Sequence, residues 1–212
     1  MKKNVENIFE KLFIDYPTLT ECRDSIMDAY IVLESTYKNG GKLLVCGNGG
    51  SAADCEHIVG ELMKGFRLRR PLRDAEIAEF SRCGGEHIAP TLQKGLPAIS
   101  LVSHTGLMTA FMNDCDSDSV FAQQVYGYMN EGDALIALST SGNSENVCRA
   151  CITAKVKGGK VVSFTGAGGG KMLDLSDAIV RLPSTDTAKI QELTLPLYHC
   201  LCAMLEEEFF GE

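Results

Sequence analysis

The sequence predicts an α/β protein built on an open, doubly wound, five-stranded parallel sheet flanked by helices, with further helices ahead of it. Three observations carry this. Four short apolar runs, KLLVC at 42–46, PAISLV at 97–102, ALIALS at 134–139 and KVVSFT at 160–165, are bounded by glycines or turns, and a weaker fifth, AIVRL, stands at 178–182. None shows the polar alternation of a half-solvated strand, which suits strands covered on both faces, and the helical segments between them supply the crossovers that parallel strands require. Finally, 212 residues with 45% hydrophobic and 23% charged side chains suit one folded domain with a sizeable core, and exclude whole-chain disorder, collagen and coiled coil.

Taken in chain order, residues 1–38 form an N-terminal helical part. Ile8, Leu12 and Phe13, then Ile26, Met27, Tyr30, Ile31 and Leu33 recur at helical spacing, and Pro17 forces a break between two helices. Strands and crossover helices follow. Residues 67–95, rich in charge and glycine with a short helical pattern near 74–82, stand outside the alternation and read as an insertion between the first helix of the core and its second strand. A last helix over about 188–210 closes a single domain spanning 1–212.

Charge and cysteine usage narrow the function classes. With 28 acidic against 20 basic residues the formal charge is −8, which opposes direct nucleic-acid binding. The basic cluster Lys64, Arg67, Arg69, Arg70 and Arg73 is interrupted by Pro71 and followed by Asp74, Glu76 and Glu79, so it reads as a solvated or subunit-facing segment. No apolar run approaches the ~20 residues of a membrane span, and the N-terminus has no unbroken apolar stretch of a secretory signal. Nine scattered cysteines suit reduced thiols in a cytoplasmic protein, and Cys148 and Cys151, inside a helical pattern, read as core packing.

The chemistry concentrates after the first and third strands. GNGGSAADCEH, residues 47–57, follows the first, and STSGNSENV, residues 139–147, follows the third. In an open parallel sheet the crevice beyond the carboxyl ends of the strands is where ligands bind. Glycines there let backbone N–H groups approach a ligand, and Ser139, Thr140, Ser141 and Ser144 place four hydroxyls within six residues ahead of a helix. Serine and glycine also make ordinary turns and caps, but this density favours an oxyanion, most simply a phosphate. Neither the P-loop pattern nor G-x-G-x-x-G is present, so no nucleotide is indicated. His57 and Glu61 stand at i and i+4 on one helix face, a pair able to hold a divalent metal or share a proton. Gln191 and His199 interrupt the apolar last helix; about 12 Å of rise and about 80° of rotation separate them, so they meet at one ligand only by leaning together, and His199 reads equally as a core histidine.

CGNGGSAAD, STSGNSENV, and IQE followed by a histidine in the last helix resemble the SIS (sugar isomerase) domain family, and within it the phosphoheptose isomerase group. The resemblance covers almost the whole chain apart from residues 67–95. It implies aldose–ketose isomerisation of sedoheptulose 7-phosphate, or a related sugar phosphate, to D-glycero-D-manno-heptose 7-phosphate through an enediol. Carried over by position, it puts Asn48, Gly49, Gly50 and Ser51 in the first substrate loop, Ser139, Thr140, Ser141 and Ser144 around the phosphate, and Asn113 and Asp114 on the sugar. It implies zinc held by His57, Glu61, Gln191 and His199, with Gln191 also near substrate and Glu61 and His199 as the acid–base pair. A homotetramer with shared sites is implied as well. The same group contains DiaA-like proteins that act by binding a partner, which remains the alternative. Ala188 and Lys189 depart from the Asp-Arg that precedes IQE in the isomerases.

Overall fold

The computed structural model describes residues 2–211. Helices α1 (Lys3–Asp15) and α2 (Arg23–Lys38) open the chain, joined by a 3-10 turn that begins at Pro17, where the missing N–H and fixed φ end α1. The core then alternates: β1 (Leu43–Gly47), α3 (Gly50–Met63), α4 (Asp74–Arg82), β2 (Ala98–Ser100), α5 (Thr105–Asp114), α6 (Val120–Tyr128), β3 (Ala134–Leu138), α7 (Glu145–Val156), β4 (Lys160–Gly166), β5 (Ala178–Leu182) and α8 (Thr187–Phe210). All strand pairs are parallel, in the order β2-β1-β3-β4-β5. The five expected strands are present within a few residues of their expected bounds, and the short helical pattern in the 67–95 segment is α4.

Each strand sends alternate residues into two cores. Leu43 and Val45 of β1, Ala134, Ile136 and Leu138 of β3, and Val162 and Phe164 of β4 pack with α1, α2, α3 and α8. Leu44 and Cys46, Leu135 and Ala137, and Val161 pack with α6 and α7 on the opposite face. This is why the runs lack polar alternation: β1 and β3 are buried at every position, while edge strand β5 leaves Arg181 exposed. Helix α8 is buried at seven successive positions, Cys200 to Glu206, all but the last of them apolar. A helix apolar all round belongs inside, and α8 packs against α1, α2 and α3. None of the helices among the described residues is long and apolar enough to cross a membrane.

The basic cluster is not uniformly solvated, which corrects the expectation for Arg70. Its side chain is 0% exposed and its Nε donates to Glu206 Oε1 at 2.8 Å. Its other nitrogens donate to the carbonyls of Leu62 (2.7 Å) and Glu61 (3.2 Å), at the end of α3. Glu206, on α8, also accepts from the backbone N–H groups of Phe66, Arg67 and Leu68. The start of the 67–95 segment is thus tied to α3 and α8 by one buried ion pair. Sequence patterning missed this because a buried pair looks like any other two charges until the fold brings them together. Cys148 and Cys151 are buried as expected, and all nine cysteines are unpaired, with Cys83 and Cys115 exposed.

Candidate active site

The sheet order places the two motifs side by side. β1 and β3 are neighbours in register, Cys46 opposite Ala137 and Gly47 opposite Leu138, so both strands end level with each other. From β1 the sheet continues to β2 on one side and to β3 on the other, and this reversal of winding opens the crevice used by ligands in such folds. Asn48 and Asn146 bridge the two loops with a reciprocal amide pair, Nδ2 of each donating to Oδ1 of the other at 2.9 and 3.0 Å.

The second loop is a cup of hydroxyls. Ser139, buried at the end of β3, has its Oγ 2.9 Å from Ser144 Oγ, and Ser141 Oγ accepts from the Asn143 N–H at 3.1 Å. Helix α7 begins at Glu145, and the N–H groups of its first turn have no intrahelical acceptors. Such a terminus, ringed by hydroxyls, suits an anion. A third loop, absent from the sequence expectations, walls the cup. Gly142, with φ of 65°, packs backbone to backbone against Gly169 and Gly170, beyond the end of β4. The Lys171 N–H donates to Asn143 Oδ1 at 3.0 Å and the Met172 N–H to the Gly142 carbonyl at 3.2 Å. The run GAGGGK at 166–171 was its available signal.

The acid–base candidates assemble between α3 and α8. His57 Nε2 lies 3.1 Å from Glu61 Oε1 and 3.4 Å from His199 Nε2. The other Glu61 oxygen, Oε2, faces Lys64 Nζ at 3.4 Å. The His57 and His199 rings meet edge to face, and Phe66 flanks His199. His199 is therefore not a plain core histidine. Burial chiefly, with His57 alongside, lowers its pKa below the usual imidazole value. A cleft of about 160 Å³ between α1 and α8, lined in part by Lys11, Arg67 and Pro196, reaches this ring. Behind His57, Tyr198 Oη is 2.9 Å from its Nδ1 and donates to Asp54 Oδ1 at 3.2 Å. Burial raises the Asp54 carboxyl and, with Asp54 beside it, pushes the Tyr198 phenol up.

Gln191 does not lean onto His199. Its amide lies over the first loop, where a Cβ on Gly50 would come within 2.6 Å of its Nε2, so a side chain at position 50 would push this amide aside. Asn113 and Asp114, bonded to each other at 2.7 Å, are exposed at the end of α5 and make no hydrogen bond to the other candidates. Asp54, Tyr198, Asn143 and Asn146 are site residues that spacing alone did not single out.

Whether these residues fit zinc turns on their donor set. Among the described residues no three His, Cys, Asp or Glu side chains close around one point. The pairwise spacing is nevertheless right for its histidines: two ligands at ~2.0–2.1 Å on a tetrahedral zinc stand ~3.4 Å apart, and the two Nε2 atoms stand at 3.4 Å. Two imidazoles and a carboxylate are also usual zinc ligands, so His57, His199 and Glu61 fit the metal by their donor chemistry, while the Gln191 amide lies over Gly50.

An open parallel sheet with a hydroxyl-lined anion cup at its switch point and a His/Glu/His cluster beside it is the architecture of a phosphosugar-binding domain. The chain belongs to the SIS domain family, whose pattern matches residues 17–89 and 79–166. Among its relatives is the phosphoheptose isomerase of Rhodospirillum rubrum, 39% identical over 189 residues, covering 89% of this chain and 88% of that one. The phosphoheptose isomerase of Nitratiruptor sp. is 38% identical over 204 residues, covering 96% and 94%. The solved structure of a phosphoheptose isomerase from Francisella tularensis matches with a TM-score of 0.76 at 30% identity, covering 98% of this chain and all of the other.

Proposed function

We infer that this protein is a phosphosugar isomerase that interconverts an aldose and a ketose phosphate, and that its substrate is sedoheptulose 7-phosphate or a close relative. One observation carries the reading: α3 and α8, distant in sequence, bring Glu61 to 3.1 Å and His199 to 3.4 Å from His57 Nε2, beside the phosphate cup of a chain similar to phosphoheptose isomerases. A scaffold that only bound a partner, as DiaA-like proteins do, has no physical need to gather these groups.

The chain's own residues divide the work. The cup of Ser139, Thr140, Ser141 and Ser144, with the first turn of α7, holds the phosphate, and the tether orients the reacting carbons. Glu61 removes the proton next to the carbonyl; its Oε1 is turned to His57 and its Oε2 to the exposed Lys64 ammonium, so Oε2 acts once substrate displaces that surface contact. His199, kept neutral near pH 7 by its lowered pKa, passes a proton between neighbouring oxygens as the enediol forms and collapses. Zinc, held by His57, Glu61 and His199, with Gln191 assigned to it by resemblance alone, would supply Lewis-acid polarisation of the carbonyl. Asn113 and Asp114, exposed at the end of α5, are assigned to the sugar by resemblance alone.

The finer expectations belong here too. Nine unpaired cysteines support a reducing, cytoplasmic setting. Exposed apolar side chains on α1, α2 and α7, among them Ile14, Ile31, Ile152 and Val156, support self-association into the tetramer that the family resemblance implies.

The deciding experiment is isomerisation of sedoheptulose 7-phosphate with and without zinc, run beside Glu61→Gln. Turnover that falls by about 10²-fold or more in the variant is expected. A folded, zinc-supplied wild type without turnover would overturn the heptose assignment.

A further inference from the structure

We propose that Asp54 and Tyr198 form a relay that locks His57 in the Nδ1–H tautomer, so that its Nε2 presents a lone pair to Glu61 and His199. Both are positioning residues, acting through His57. The proton count gives the direction. Tyr198 has one hydroxyl proton and two partners, Asp54 Oδ1 at 3.2 Å and His57 Nδ1 at 2.9 Å. As a carboxylate, Asp54 only accepts, so the phenol donates to Asp54 and its oxygen accepts from Nδ1–H. The reverse arrangement would set the carboxylate and phenol lone pairs against each other.

With Nδ1 protonated, the neutral ring has no proton on Nε2. That lone pair faces the Glu61 carboxylate at 3.1 Å and the His199 ring at 3.4 Å. Two acceptors this close require a cation between them, a metal ion or a proton. The relay thus turns an ordinary helix histidine into a fixed donor for positive charge, as an outer carboxylate or carbonyl does for many metal-binding imidazoles. Tyr198 is only 2% exposed and Asp54 half-buried, so solvent competes weakly for these bonds. The adjacent position in α8 carries His199 itself, so one helical turn both orients His57 and supplies its neighbour. This inference rests on the zinc reading above only for the identity of the cation; the tautomer stands or falls separately.

The test uses the full-length protein and two near-isosteric variants, Tyr198→Phe and Asp54→Asn. In zinc-free protein at pH 8, imidazole ¹⁵N resonances, with His57 assigned through a His57→Asn control, report which ring nitrogen carries the proton. Nδ1–H in the wild type, and a shift toward Nε2–H in Tyr198→Phe, are expected. Zinc affinity by chelator competition should fall about 10–100-fold in both variants, with unchanged circular dichroism. A wild-type His57 that carries a proton on Nε2 and none on Nδ1 overturns the relay whether or not zinc binds, as does a Tyr198→Phe protein whose His57 tautomer is unchanged. If the wild type binds no zinc yet shows Nδ1–H that Tyr198→Phe releases, the relay stands and the zinc assignment fails.

Discussion

Glu206→Gln is the perturbation whose consequence the structure specifies most completely. The substitution keeps the shape of the side chain and removes its charge, leaving the Arg70 guanidinium buried with no counter-ion. Removing one partner of a buried pair costs ~3–5 kcal/mol. For a chain of this size each kcal/mol moves Tm by about 2–4 °C, so a fall of roughly 6–20 °C is expected. Differential scanning calorimetry reads it, with exposed Glu192→Gln as a control that moves Tm little. The double variant Arg70→Met, Glu206→Leu separates this account from a simple ion-pair one. Buried pairs are often replaced by apolar residues without loss, but here three backbone N–H groups, of Phe66, Arg67 and Leu68, would lose their only acceptor. At ~1–3 kcal/mol for each unsatisfied group, the double variant stays destabilised. A Glu206→Gln protein that melts within about 2 °C of wild type, or a double variant that recovers fully, would refute the reasoning.

Other outcomes follow from the same geometry. Ser139→Ala removes a cup hydroxyl and the 2.9 Å bond to Ser144; steady-state kinetics should show KM for the sugar phosphate rising about 10–100-fold, the worth of one hydrogen bond to a charged group. Gly142→Ala drives a methyl onto the Gly169 carbonyl at a positive φ, so the two loops must separate; inorganic phosphate should protect the wild type thermally and fail to protect the variant. Native maleimide labelling should modify Cys83 and Cys115 and spare the other seven thiols, several of which, including Cys46, Cys55 and Cys202, burial pushes well up in pKa; mass spectrometry counts the adducts, and all nine should label in denaturant.

Strands, crossover helices and the places of the two loops were legible in the linear chain because their signals are local. A strand covered on both faces reads as a short unbroken apolar run, and a glycine–serine junction after it needs no distant partner to be recognised. His57 and Glu61 were legible as a pair for the same reason, since four residues of helix set their spacing. What only the tertiary structure decided involves groups far apart in sequence. Packing α8 between α1, α2 and α3 brings His199 within 3.4 Å of His57 and sets Tyr198 behind it. It also turns Arg70, which the sequence grouped with a solvated or subunit-facing cluster, and Glu206, 136 positions away, into a buried pair. The in-register end of β1 beside β3 let Asn146 reach Asn48, and close glycine packing brought the 166–172 loop to the cup. Gln191 went over Gly50 rather than to His199, because a straight count of helical rotation says where a residue stands on its own helix and not which neighbour that face will meet. Local periodicity determines elements; contact between elements depends on how their apolar faces are buried together, and most of the site's chemistry lies in those contacts.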